Sequence, residues 1–149
     1  MAKASLFFTK EQQDHILAAV KEAEKDTSGE IRVHIETSCS GEVLDRAAWI
    51  FKKLGMNKTA LRNGVLFYLA VEDRKFAIIG DAGINAKVPA GFWDSISEML
   101  LKNFKAGRFA EALSEGIIMA GKQLKTHFPY QKDDVNELPD EISFDNPKE

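Results

Sequence analysis

Cys39 lies in the stretch Thr37-Ser-Cys-Ser-Gly41, with Arg46 seven positions beyond it. A thiol between a strand and a helix, followed by an arginine, is the arrangement of a thiol phosphatase. Those enzymes require five intervening residues for the guanidinium to fold back over the phosphate; here there are six, and Asp45 takes the required place. A plain loop thiol is the better reading of Cys39. Gly80-Asp-Ala-Gly83 is too short for a dinucleotide fingerprint, and a Walker lysine loop is missing. His15, His34 and His127 stand apart from any Cys/His spacing of zinc sites. The oxygen-bearing loops are more informative. Asp81, Asn85, Asn63 and Asp94 form one set and Glu72, Asp73, Glu36, Glu42 and Asp45 another, and carboxylate and amide oxygens on loops are the donors that hard cations such as Ca²⁺ or Mg²⁺ prefer. The same residue types also cap helices and make turns.

The elements that position these residues follow from periodicity. Thr9 and Gln12 have the form of a capping box, and Ile16, Leu17, Val20 and Ala23 recur at helical spacing, predicting a helix from about Lys10 to Lys25. Ile31, Val33 and Ile35 alternate with Arg32, His34 and Glu36, which predicts an edge or near-edge strand with its polar side less buried. Leu44, Ala47, Ala48, Phe51 and Leu54 form a second helical stripe, stopped by Gly55. Val65 to Val71 is an unbroken apolar run, as in a central strand covered on both faces. Glu72-Asp-Arg74 is so short that Phe76 to Ile79 must return antiparallel. Phe92, Ile96, Met99, Leu100 and Phe104 mark one further helix, and Phe109, Leu113, Ile117, Ala120 and Leu124 another that ends before Pro129.

The order α-β-α-β-β-α-α predicts an α/β three-layer sandwich: a small mixed sheet, parallel β-α-β plus an antiparallel hairpin, flanked by helices. The parallel strands bring Glu36, Glu42, Asp45, Glu72 and Asp73 to one pole. Asp81 and Asn85 fall beside Asn63 at the other, with Asp94 early in the next helix. Gly80 and Gly83 would let the backbone curl around an ion, so the expected Ca²⁺ or Mg²⁺ site is centred on Asp81, with Asn63, Asn85 and Asp94 as contributors. Glu72 and Asp73 are the second candidate cluster.

A chain of 149 residues can bury a sizeable single core. Residues 1–129 are expected to form one domain. From Tyr130 seven acids face two lysines and the apolar period stops, predicting a disordered tail over 130–149. The net charge is −3, so residues 1–129 stand near +2 and lack the basic stripe of a nucleic-acid binder. The first eight residues hold too few large apolar groups for a signal-peptide core, and Val65 to Val71 is far short of a membrane helix. With one cysteine, these features predict a cytoplasmic protein.

Gly29-Glu-Ile-Arg-Val33, Asn63-Gly-Val-Leu-Phe67, Glu72-Asp-Arg74, Gly83-Ile-Asn85 running into Val88-Pro89, and Phe104-Lys-Ala-Gly-Arg-Phe-Ala-Glu-Ala-Leu113 follow one another at characteristic spacing. Over Gly29 to Leu124 the chain resembles the TPM domain family, which includes thylakoid-lumen proteins linked to photosystem II repair and many bacterial proteins. The resemblance implies an α/β sandwich, calcium or related divalent-ion binding, and an acid phosphatase activity reported for plant members. Most members read Gly-Leu-Glu where this chain has Gly83-Ile-Asn85, and glycine is usual where Asp81 stands, so one carboxylate has moved. The expected function is a cation-binding module with a regulatory or protein-interaction role; the alternative is a metal-dependent acid phosphatase.

Overall fold

The computed structural model of the chain describes residues 7–130 and 141–144. Helix α1 (Lys10–Glu24) begins at the expected capping box: Gln12 N donates to Thr9 Oγ1 at 3.1 Å and Thr9 N donates to Gln12 Oε1 at 2.9 Å. Strand β1 (Glu30–Glu36) follows, then α2 (Val43–Lys53), which Gly55 terminates with φ +74°. After a short 3₁₀ turn (Met56–Lys58), β2 (Gly64–Ala70) and β3 (Lys75–Gly80) form the hairpin. A single turn of helix, α3 (Ala82–Asn85), leads to α4 (Phe92–Lys105) and α5 (Phe109–His127). A last strand, β4 (Ile142–Phe144), lies beyond the point where the sequence places the end of the domain.

The sheet order is β3-β2-β1-β4, with β1 parallel to both β2 and β4, and β3 antiparallel to β2. One sheet face carries Ile31, Val33, Ile35, Val65, Phe67 and Leu69 into the main core, against Ile16 and Val20 of α1, Ile96 and Leu100 of α4, and Leu113, Ile117 and Leu124 of α5. On the other face Leu66, Tyr68, Ala70 and Ala77 meet Ala47, Ile50 and Phe51 of α2, together with Met56 and Cys39. Helices on both sides of a mixed sheet make the three-layer α/β architecture expected.

Three differences have physical causes. All seven residues of β1 are buried, the polar ones included, because β4 occupies its outer side and its charged side chains find partners. The stripe on α2 is rotated: Ala47, Ile50 and Phe51 are buried, while Leu44 is 57% exposed. The segment after β3 is no open loop, since Asp81 caps α3. Of the tail expected to be disordered, 131–140 and 145–149 lie outside the described residues, and 142–144 form β4.

Candidate functional site

At the carboxyl ends of β1 and β2 a buried carboxylate collects the polar groups around it. Glu36 closes β1, and parallel pairing sets His34 beside Tyr68 and Glu36 beside Ala70. Side chains two apart share a sheet face, so the period of 2 brings His34, Glu36 and Tyr68 to one side of the sheet. Arg46, one turn into α2, reaches back. Its Nε donates to Glu36 Oε1 and Oε2 at 3.2 and 3.0 Å, and its Nη2 donates to Oε1 at 2.5 Å. The Tyr68 hydroxyl donates to Glu36 Oε2. His34 Nε2 is 3.2 Å from Glu36 Oε1 without hydrogen-bond alignment, and its ring stacks on Tyr68 at 6.0 Å between centroids. Burial alone would raise the Glu36 pKa; His34, Arg46 and Tyr68 outweigh it and hold the carboxyl down at about 2. Burial, followed by the same carboxylate, pushes the Tyr68 phenol far above its ordinary value, and Glu36 raises Arg46. Glu36 is therefore an internally neutralised anion at neutral pH.

The loop above this network is clasped by the β2–β3 turn. Asp73 Oδ2 accepts from Cys39 N at 2.6 Å, and Lys75 Nζ donates to the carbonyls of Cys39 and Gly41 at 3.0 and 3.1 Å. The result is an open groove of about 510 Å³ lined by Ser38, Cys39, Ser40, Gly41, Glu42, Asp45, Arg46 and Trp49. Cys39 contributes little to it: the thiol is buried and directed to Gly41 O at 3.6 Å. Trp49 is half exposed, with the Arg46 and Lys53 charges 4.6 and 4.9 Å from its ring centre. The Glu42 and Asp45 side chains are exposed and, among the described residues, take no hydrogen bond or ion pair.

The opposite pole, centred in the sequence reading on Asp81, is committed differently. Arg62 grips Asp81 with both arms, Nε to Oδ2 and Nη2 to Oδ1, each at 2.7 Å, and Oδ1 also accepts from Ala82 N at 2.8 Å. A cation at Asp81 must compete with a guanidinium already in fork geometry. Asn63 is buried and its amide reaches Ser28 Oγ at 3.4 Å. Asn85 donates to Gly80 O at 2.7 Å and accepts from Trp93 Nε1 at 2.8 Å. Asn85 and the exposed Asp94 border one shallow groove, which neither Asp81 nor Asn63 lines. Gly83 has a packing reason: a Cβ there would sit 2.1 Å from Leu61 O, so glycine lets α3 approach the Leu61–Arg62 backbone. Among the described residues no three of His, Cys, Asp and Glu converge as a metal set.

Sequence reasoning missed Tyr68 and Arg62 as polar partners, and weighed Arg46 only against a phosphate loop. A signal existed for Tyr68, the one polar-tipped residue in an apolar strand, sharing a face with His34 and Glu36 once the strands are aligned parallel. The other two histidines stay peripheral, His15 beside the α1–α5 surface groove and His127 against Gln123 at 3.2 Å.

Comparison with known proteins extends these findings. The TPM domain family matches residues 3–123. The chain is similar to the BA42 protein of the psychrophilic bacterium Bizionia argentinensis, with 47% identity, 97% of this chain and 100% of that one covered, and a TM-score of 0.87. Two further solved structures share the fold: the N-terminal domain of a protein from P. gingivalis (19% identity, 83% and 82% covered, TM-score 0.69) and that of the cg2496 protein from Corynebacterium glutamicum (14%, 84% and 79%, TM-score 0.64). No curated protein matches the chain. No helix among the described residues is long and apolar enough to cross a membrane. With four-fifths of its length matched by the family pattern, the chain belongs to the TPM domain family.

Proposed function

We propose that this TPM domain is a divalent-cation-binding module of regulatory or protein-interaction role, and that Ca²⁺ or Mg²⁺ binds in the groove at the carboxyl ends of β1 and β2. One observation carries the reading: Glu42 and Asp45 line the same open groove with no partner of their own among the described residues, whereas Asp81, Asp73 and Glu36 are already engaged. Arg46 does not oppose a cation there strongly, because Glu36 neutralises it. Two carboxylates with Ser38 and Ser40 beside them suit an ion that keeps most of its water, hence modest affinity.

Calcium titration followed by amide shifts tests this directly. Shifts are expected to concentrate from Gly41 to Arg46, and the double substitution Glu42→Gln/Asp45→Asn is expected to weaken binding at least tenfold. Asp81→Asn should leave affinity within about twofold. Shifts at Asn63 and over 80–87, lost with Asp81→Asn, would return the site to the opposite pole.

The metal-dependent phosphatase reading has less support. The groove offers the Cys39 thiol buried and turned to a carbonyl, and Arg46 tied to Glu36, so neither is free to serve a phosphate monoester. Purified protein with Ca²⁺ or Mg²⁺ is expected to leave an aryl phosphate unhydrolysed; turnover that vanishes with Asp45→Asn would reverse this assignment.

A further inference from the structure

The outer side of β1 is a place where extended chain is recognised in register. Val33, His34 and Ile35 pair in parallel with Ile142, Ser143 and Phe144. The incoming strand alternates: Ile142 and Phe144 pack against the main core, and Ser143 lies toward the polar row of β1, where its Oγ meets His34 Nδ1 at 2.6 Å. One residue earlier, Glu141 pairs with Arg32 at 3.6 Å.

The acceptor and its occupant differ in how firmly they are held. Val33 and Ile35 pair with Phe67 and Leu69 of β2 within the main core, and His34 is oriented by stacking on Tyr68, which Glu36 and Arg46 anchor in turn. None of those contacts involves β4. The occupant is three residues long, each only half-buried, and the Glu141 side chain is 65% exposed. A short strand of this kind adds few ladder bonds, so its hold depends chiefly on being tethered to the same chain, which supplies an effective concentration on the order of millimolar.

We propose that the β1 edge is a strand-acceptor groove for an extended segment of another protein with the pattern acid–aliphatic–hydroxyl–aromatic, and that Glu141-Ile-Ser-Phe144 is its resident, displaceable occupant. Arg32 reads the acid and His34 the hydroxyl. The main-core side of the sheet takes the aliphatic and aromatic side chains. Recognition is β-augmentation: main-chain pairing supplies affinity, and alternate side chains supply specificity.

The test uses a fluorescent peptide with the sequence of residues 139–146, titrated by polarisation into the full chain and into the full chain carrying Ile142→Asp/Phe144→Asp, which empties the groove. The emptied variant is expected to bind at least tenfold more tightly than the unaltered chain. Replacing the serine or the phenylalanine of the peptide by alanine is expected to weaken binding at least fivefold. A folded variant that takes no peptide at millimolar concentration overturns the proposal. Should the variant fail to fold, hydrogen exchange on the unaltered chain decides. Amides of 142–144 that open well before those of β2 support displacement, and exchange only with global unfolding overturns it. A concentration-dependent dimer of the unaltered chain, abolished by the double substitution, assigns the groove to a second copy instead and overturns the choice of partner.

Discussion

Glu36 is a carboxylate whose pKa burial by itself would raise, yet its neighbours hold it ionised with a pKa of about 2 against an ordinary 4.5. A depressed carboxylate contributes stability that is complete above its unfolded value and disappears as pH falls through the folded one, here between about 4.5 and 2. At roughly 1.4 kcal/mol per unit this amounts to about 3–4 kcal/mol. Denaturant unfolding at pH 5 and at pH 2 is expected to show that loss in the native chain and to show less of it in Glu36→Gln; parallel losses would place the linkage elsewhere. Asp81 matters differently. Its cap on α3 is expected to make Asp81→Ala cost about 1 kcal/mol, with Asp81→Asn retaining most of it, because Arg62 is half exposed and its ion pair stabilises little.

At the scale of elements, α1 and α5 approach one another through small residues. A Cβ on Gly121 would lie 2.6 Å from Ala23 Cβ and 2.8 Å from its Cα, atoms that cannot rotate away. Gly121→Ala gains about 1 kcal/mol of helix propensity and loses about 1–3 kcal/mol to overpacking, so net destabilisation is expected in the urea midpoint. Gly116→Ala is the control. The atoms nearest its new Cβ belong to the side chains of Ile96, Phe67 and Leu100, at 3.1 Å or more, and can give way, so that midpoint should move less. The same comparison explains the glycine at 83, which the sequence suggests as a means of wrapping an ion and which instead permits backbone contact between α3 and the Leu61–Arg62 turn.

For the whole molecule, the sheet is one strand wider than the apolar periodicity predicts, and β1 is an interior strand because of it. Composition alone predicts that removal of everything after Pro129 leaves stability unchanged. With β4 paired to β1 and Ser143 bonded to His34, deletion after Tyr130 is expected to cost about 1 kcal/mol, or roughly 3–6 °C in Tm. An unchanged melting temperature would show that β4 contributes nothing net.

The sequence by itself determined the helices, the hairpin, the parallel β-α-β unit and the family resemblance, because caps, turns and apolar periods act between residues a few positions apart. Thr9 with Gln12, and Gly55 in the left-handed region after α2, needed no tertiary information. Which carboxylates remain free was decided only by the tertiary structure. Asp81 finds Arg62 19 residues away, Glu36 finds Tyr68 32 away, and His34 finds Ser143 109 away. Loop acids look alike in a sequence; the arrival of a distant guanidinium or hydroxyl engages one and leaves the side chain of another, such as Asp45, unpaired among the described residues.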